Sequence, residues 1–163
     1  MSYPPPVYDG ASGEPDLTSF RSVDTPPDLP LPDGAAHFIA TGESTDGRFG
    51  LYRWDMGAGT AGARPHFHRT ISESFFVVSG TVRLYDGNDW IDGAPGDFLY
   101  VPEGGVHGFS NESGEPATML ILFAPGAPRE AYFEGLVEFA EGRWKPTHEE
   151  FQAFLEEHDN LYI

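Results

Sequence analysis

Residues 66–80 read HFHRTISESFFVVSG, and residues 96–111 read GDFLYVPEGGVHGFSN. On a β-strand, residues two apart point to the same face, so His66 and His68 can turn both imidazoles toward one ion. Imidazole nitrogens ligate such ions at roughly 2.0–2.1 Å. Glu73 follows His68 by an odd number of residues, and a single straight strand would send it to the opposite face. Arg69-Thr70-Ile71-Ser72 reads instead as a turn, after which the strand from Glu73 runs back with its carboxylate facing inward. Pro102-Glu103-Gly104-Gly105 is a second turn-forming stretch, able to deliver His107 to the same place. Taken alone, a His-x-His pair is a weak metal signal.

Outward from this core, short aromatic and aliphatic runs alternate with turn signals. The runs are His37–Thr41, Phe49–Met56, Glu73–Ser79, Val82–Tyr85, Trp90-Ile91, Phe98–Val101 and Ala117–Ala124. Asp46-Gly47, Ser79-Gly80, Asp86-Gly87-Asn88, Asp92-Gly93 and Glu103-Gly104-Gly105 punctuate them. Short strands at near-even spacing predict an antiparallel sandwich or barrel. No internal repeat is present, so one barrel is expected. Residues 1–34 are rich in Pro, Asp, Gly and Ser, and predict an extended or irregular arm, because proline gives no N–H to a ladder. Toward the other end, Tyr132, Phe133, Leu136, Val137, Phe139 and Ala140 recur at helical spacing. Thr147 and Glu150 form a capping-box pattern ahead of Phe151, Phe154 and Leu155. Two helices packed on one side of the barrel follow, giving segments 1–34, 35–126 and 127–163.

The 163 residues suit one domain with a real core. There is no cysteine, which excludes disulfides, thiolate metal sites and cysteine nucleophiles. Nine Lys and Arg against 26 Asp and Glu give a formal charge of -17, a field that repels nucleic acid and anionic membrane surfaces. The start, Met1-Ser2-Tyr3 followed by three prolines, lacks the features of a secretory leader, and a cytoplasmic location is expected.

The two quoted stretches resemble the two motifs of the cupin family. The first motif, H-x-H, four residues, E, six residues, G, is matched by His66, His68, Glu73 and Gly80. The second, G-x5-P-x-G-x2-H-x3-N, is matched by Gly96, Pro102, Gly104, His107 and Asn111. One position departs: the glycine opening the first motif falls at Thr60, flanked by Gly59 and Gly62, which predicts a slightly shifted turn. The resemblance covers about residues 40–125. It implies an all-β fold, the cupin jelly-roll β-barrel, with the two C-terminal helices and the Pro-rich arm added. It also implies one divalent transition metal (Fe, Mn, Ni, Co, Cu or Zn) on His66, His68, Glu73 and His107. An N3O set does not choose among these ions, and it leaves coordination positions open for chemistry. A homodimer is the default for such a barrel.

Candidate cavity residues follow from strand parity. Arg64 shares the parity of His66 and His68, and an inward Arg there would pair with a substrate carboxylate or enolate oxygen. Phe75 and Val77 share Glu73's parity, Phe109 shares that of His107, and Tyr52 and Trp54 lie together on an earlier strand. These side chains predict core or an aromatic cavity suited to a planar ligand. His37, His148 and His158 are expected to be solvated. The family resemblance implies a small-molecule dioxygenase like the quercetinases, acting on an enolic or phenolic aromatic, with Glu73 as ligand and catalytic base. A non-redox isomerase or cyclase and a non-catalytic binding module are the alternatives.

Overall fold

The computed structural model describes residues 2–59 and 62–163; the turn expected at Thr60 lies outside them. Eleven strands and two helices follow in order: β1 Leu29–Leu31, β2 Gly34–Ala40, β3 Gly50–Met56, β4 His66–Phe67, β5 Ser72–Ser79, β6 Val82–Tyr85, β7 Trp90–Gly93, β8 Phe98–Val101, β9 Gly108–Ser110, β10 Ala117–Ala124, α1 Glu130–Ala140, α2 His148–Glu157 and β11 Leu161–Tyr162. A six-stranded sheet runs β1-β2-β3-β10-β5-β8, a second runs β7-β6-β9, and β11 pairs with β4. Every pairing is antiparallel. The arrangement is that of a jelly roll, with the two larger sheets packed through one apolar core of which Tyr52, Phe75, Val77, Val82, Leu84 and Met119 are members.

The alternation of β10 explains its central place. Ala117, Met119, Ile121 and Phe123 are buried while the residues between them are less so, and this is the period of a half-covered strand. Its register sets Ile121 beside Tyr52 on one side and Phe75 on the other. Gly80, in the turn after β5, has φ +71°, and a Cβ there would lie 2.4 Å from the Pro116 carbonyl oxygen. Any other residue would be strained and would clash with backbone.

Both helices form where the apolar periodicity and the capping box placed them. Thr147 accepts from the Glu150 N–H, and the Glu150 carboxylate accepts from the Thr147 N–H at 2.7 Å. Helix α1 lays Phe133 against Tyr52 and Trp54, with ring centroids 5.2 and 4.9 Å apart. Helix α2 stacks Phe151 on Phe139 at 4.6 Å. No helix among the described residues is long and apolar enough to cross a membrane.

Two expectations change. The proline-rich arm contains a strand: β1 pairs with β2 at the sheet edge, where Pro30's missing N–H costs no ladder bond. His37 is buried rather than solvated, because its Nε2 lies 3.2 Å from both the Arg53 guanidinium and the Asp55 carboxylate. His158 is half-buried beside Tyr132 and Phe154, and His148 is exposed.

Candidate metal centre

His66, on β4, exchanges backbone hydrogen bonds with His107, each N–H donating to the other's carbonyl at 2.9 Å. The Gly104 N–H donates to the His68 carbonyl at 2.7 Å. Gly104 has φ +82°, so this turn of the second motif is bolted directly to the first. Glu73 comes in on β5, opposite Phe123 of β10 and Val101 of β8. All four side chains are buried, and their donor atoms lie within 4.8 Å of one another.

Carbonyl oxygens fix the tautomers. His66 Nδ1 donates to the Arg64 carbonyl at 2.7 Å and His107 Nδ1 to the Gly105 carbonyl at 2.9 Å. His68 Nδ1 donates to the Asp159 carbonyl. A carbonyl only accepts, so each Nδ1 holds a proton, and Nε2 is the atom that carries the lone pair in the neutral ring. Those lone pairs meet an anion: Glu73 Oε2 lies 2.9 Å from His68 Nε2 and 2.8 Å from His107 Nε2. Acceptors facing acceptors need a proton or a cation between them, and four such atoms in a dry pocket fit a divalent metal.

The titration of His66 agrees with a neutral ring. Burial pushes the His66 imidazole down to about 3, aided by the neighbouring histidines and opposed by Glu73, so it stays neutral and able to ligate. Burial alone would raise Glu73, but the contacts with His107 and His68 hold its carboxyl well below the ordinary range. His107 moves up despite burial because Glu73 favours its charged form. These rings and the carboxylate compete for positive charge.

The cluster opens onto a cavity of about 690 Å³. Of the expected lining residues, Arg64, Trp54 and Phe109 face it, together with His66 and Glu73. Tyr52 and Phe75 do not line it. Tyr52 is fully buried with its hydroxyl on the Glu130 carboxylate at 2.5 Å, and Phe75 packs against His107 and Phe109. Arg64 is exposed at the rim, its guanidinium 4.7 Å from the centre of the Tyr162 ring. Residues beyond the motifs complete the wall: Phe123, Arg129, Tyr132, Phe133, Asn160 and Tyr162. Asn111 keeps a structural post, its amide donating to the Gly57 and Glu115 carbonyls at 2.7 Å each.

Comparison with known proteins agrees with this geometry. The family described as "Cupin domain" matches residues 52–123. Quercetin 2,3-dioxygenase of Bacillus subtilis is 28% identical over 124 residues, covering 75% of this chain and 35% of that protein. An uncharacterized protein of Streptomyces coelicolor is 37% identical over 76 residues, covering 47% of this chain and 68% of that one. The chain thus spans about a third of the dioxygenase and two thirds of the Streptomyces protein. Among solved structures, an RmlC-like cupin from Shewanella frigidimarina superposes with TM-score 0.56 at 18% identity, over 71% of this chain and 96% of that one. With both motifs folded into one buried donor cluster and the barrel matched in sequence and in shape, the chain is a member of the cupin superfamily.

Proposed function

We propose that the chain is a metal-dependent cupin enzyme, a dioxygenase acting on an enolic or phenolic aromatic small molecule. The observation that carries this reading is the convergence of three Nε2 lone pairs and the Glu73 carboxylate at the inner end of an aromatic-walled cavity. His66, His68, Glu73 and His107 would hold the ion. Such an ion supplies Lewis acidity toward a substrate oxygen and, if redox-active, electron transfer to dioxygen. Trp54, Phe109 and Phe133 offer flat apolar surface to a ring and exclude water from it. Glu73 is the buried carboxylate on the cavity wall, and it takes the proton of a hydroxyl delivered there. Asp33 also lines the cavity but is exposed at its mouth. Arg64, at the rim, pairs with an anionic oxygen of the incoming substrate.

A homodimer belongs to the same reading. The outer face of β5 and β8 exposes Phe76, Val78, Phe98 and Tyr100, and β8 ends the six-stranded sheet. Phe98 is 62% exposed, an unusual position for an aromatic on a sheet edge.

The deciding experiment purifies the protein without added metal and identifies its ion by elemental analysis. Oxygen uptake is then followed with flavonols and other enolic aromatics. Stoichiometric metal with oxygen consumption supports the dioxygenase. Turnover under anaerobic conditions replaces it with the isomerase or cyclase, and ligand binding without product replaces it with a binding module.

A further inference from the structure

Arg129 is only 3% exposed, yet it forms no ion pair with any carboxylate among the described residues. It stands at the start of α1 with its guanidinium boxed by rings, 4.2 Å from the centre of Tyr132, 4.9 Å from Phe123 and 5.6 Å from Phe133. Its Nη1 donates to the His158 carbonyl at 2.6 Å and its Nη2 to the Asn160 side-chain oxygen at 3.3 Å. Two donors remain without a partner in the same place: Arg129 Nε and Asn160 Nδ2. Both residues line the cavity that holds the donor cluster.

A purely structural arginine accounts for part of this. Aromatic faces and a carbonyl offset some of the cost of burying a guanidinium. They do not neutralise it, and they leave two buried N–H groups unsatisfied, each costly in a dry site. Glu130, next in sequence, turns its carboxylate to the Tyr52 hydroxyl instead. In a chain of formal charge -17, a carboxylate partner for one buried arginine would have been easy to supply. The Glu73 and Asp159 carboxylates act on Arg129 only from a distance, and a partner arriving from outside would satisfy the open donors directly.

We propose that Arg129 and Asn160 form an anion subsite that takes the carboxylate of an aromatic carboxylate ligand, whose ring lies among Phe123, Tyr132 and Phe133. The carboxylate accepts from Arg129 Nε and Asn160 Nδ2 while the ring fills the aromatic wall. This extends the proposed function by a substrate feature, and it uses that function's cavity but neither its metal nor its reaction.

The test uses the full chain, as purified and after chelation, with benzoate as probe and benzyl alcohol as its neutral counterpart. Calorimetry and thermal shift should give benzoate binding at least about tenfold tighter than benzyl alcohol in both preparations. Arg129→Met should abolish that preference and leave benzyl alcohol unchanged. Because Arg129 also holds the segment around His158, a second variant guards against misfolding. Asn160→Asp is nearly isosteric and places a carboxylate on the guanidinium from within. It should keep or raise Tm and weaken benzoate at least about tenfold by occupying the subsite. Equal affinity for the two probes, undiminished benzoate binding in Asn160→Asp, or benzoate binding that vanishes on chelation would each overturn the proposal. The last outcome would put the carboxylate on the metal.

Discussion

The Asp159 carbonyl accepts the Nδ1 proton of His68, a residue 91 positions earlier in the chain. The Asp159 carboxylate in turn accepts from the backbone N–H groups of Arg69 and Thr70, at 2.9 and 2.8 Å, and from the Thr70 hydroxyl at 2.7 Å. One residue therefore orients a candidate ligand and pins the loop that carries it.

Removing the Asp159 carboxylate should loosen the metal without deleting a ligand. Asp159→Ala is expected to weaken metal affinity roughly 10- to 100-fold, the usual effect of losing support behind a ligand. Competition with a chelator of known affinity measures it. Affinity within twofold of the parent would show that the carbonyl alone suffices.

The same carboxylate gives a pH signature. Burial pushes Asp159 up, but the Thr70 hydroxyl and the two N–H donors outweigh it and hold its pKa below the ordinary value. A depressed carboxylate contributes stability above its unfolded pKa of about 3.9, and loses it as pH falls through the folded value. The acid limb of the Tm-versus-pH curve should flatten in Asp159→Asn below about pH 4, in metal-free protein. A limb as steep as the parent's would assign acid sensitivity elsewhere.

Each histidine of the cluster should be needed for the metal. His66→Ala, His68→Ala and His107→Ala are each expected to reduce a stoichiometry of about one ion per chain to a small fraction. Ligation needs neutral imidazoles, so acidification should release the ion as well. Elemental analysis after gel filtration reads both effects, and full occupancy in all three variants would remove the cluster from consideration.

Glu73→Gln separates holding from catalysing. The amide keeps the shape and one oxygen but loses basicity. At matched metal occupancy, turnover should fall by roughly 10² to 10⁴, the scale of a lost general base. Equal rates would leave Glu73 a ligand only.

Arg64 sits at the rim, so its loss should be felt at entry. Arg64→Leu is expected to raise KM about tenfold with metal content unchanged. Unaltered kinetics would return Arg64 to a partnership with Tyr162 alone.

The exposed aromatic face predicts self-association. Phe98→Glu places a charge on its most exposed residue and should convert a dimer to monomer in sedimentation velocity, with Tm changed little. A parent protein that is already monomeric at tens of micromolar would dispose of the interface.

Much of the barrel is legible in the sequence because β3, β5 and β10 are runs rich in aromatic and aliphatic residues, with turn signals such as Asp46-Gly47 and Ser79-Gly80 between the runs. The motif spacing, through the family it resembles, likewise marks His66, His68, Glu73 and His107 as one set. What the sequence hides is short or remote. β11 has two residues, too few for any period, yet it pairs with the strand bearing His66. Arg129 follows two nearby prolines and reads as an ordinary helix start. Asp159 has φ +52°, a conformation that nothing in Glu157-His158-Asp159 announces. Parity placed Tyr52 and Phe75 on the right face, but parity says nothing about depth, and both ended beneath the cavity wall.

The pairing of β11 with β4 also sets a timetable. During synthesis every candidate ligand has emerged once His107 is out, while the carbonyl that orients His68 and the strand that backs His66 come much later. At roughly 5–20 residues per second the interval is on the order of several seconds. Once the central strand β10 has followed, a nascent barrel would hold four donors free to capture whatever cation is abundant, in whatever geometry it dictates. Fidelity in metal choice would then be exercised after translation, when Asp159 and β11 arrive and narrow the arrangements the site accepts.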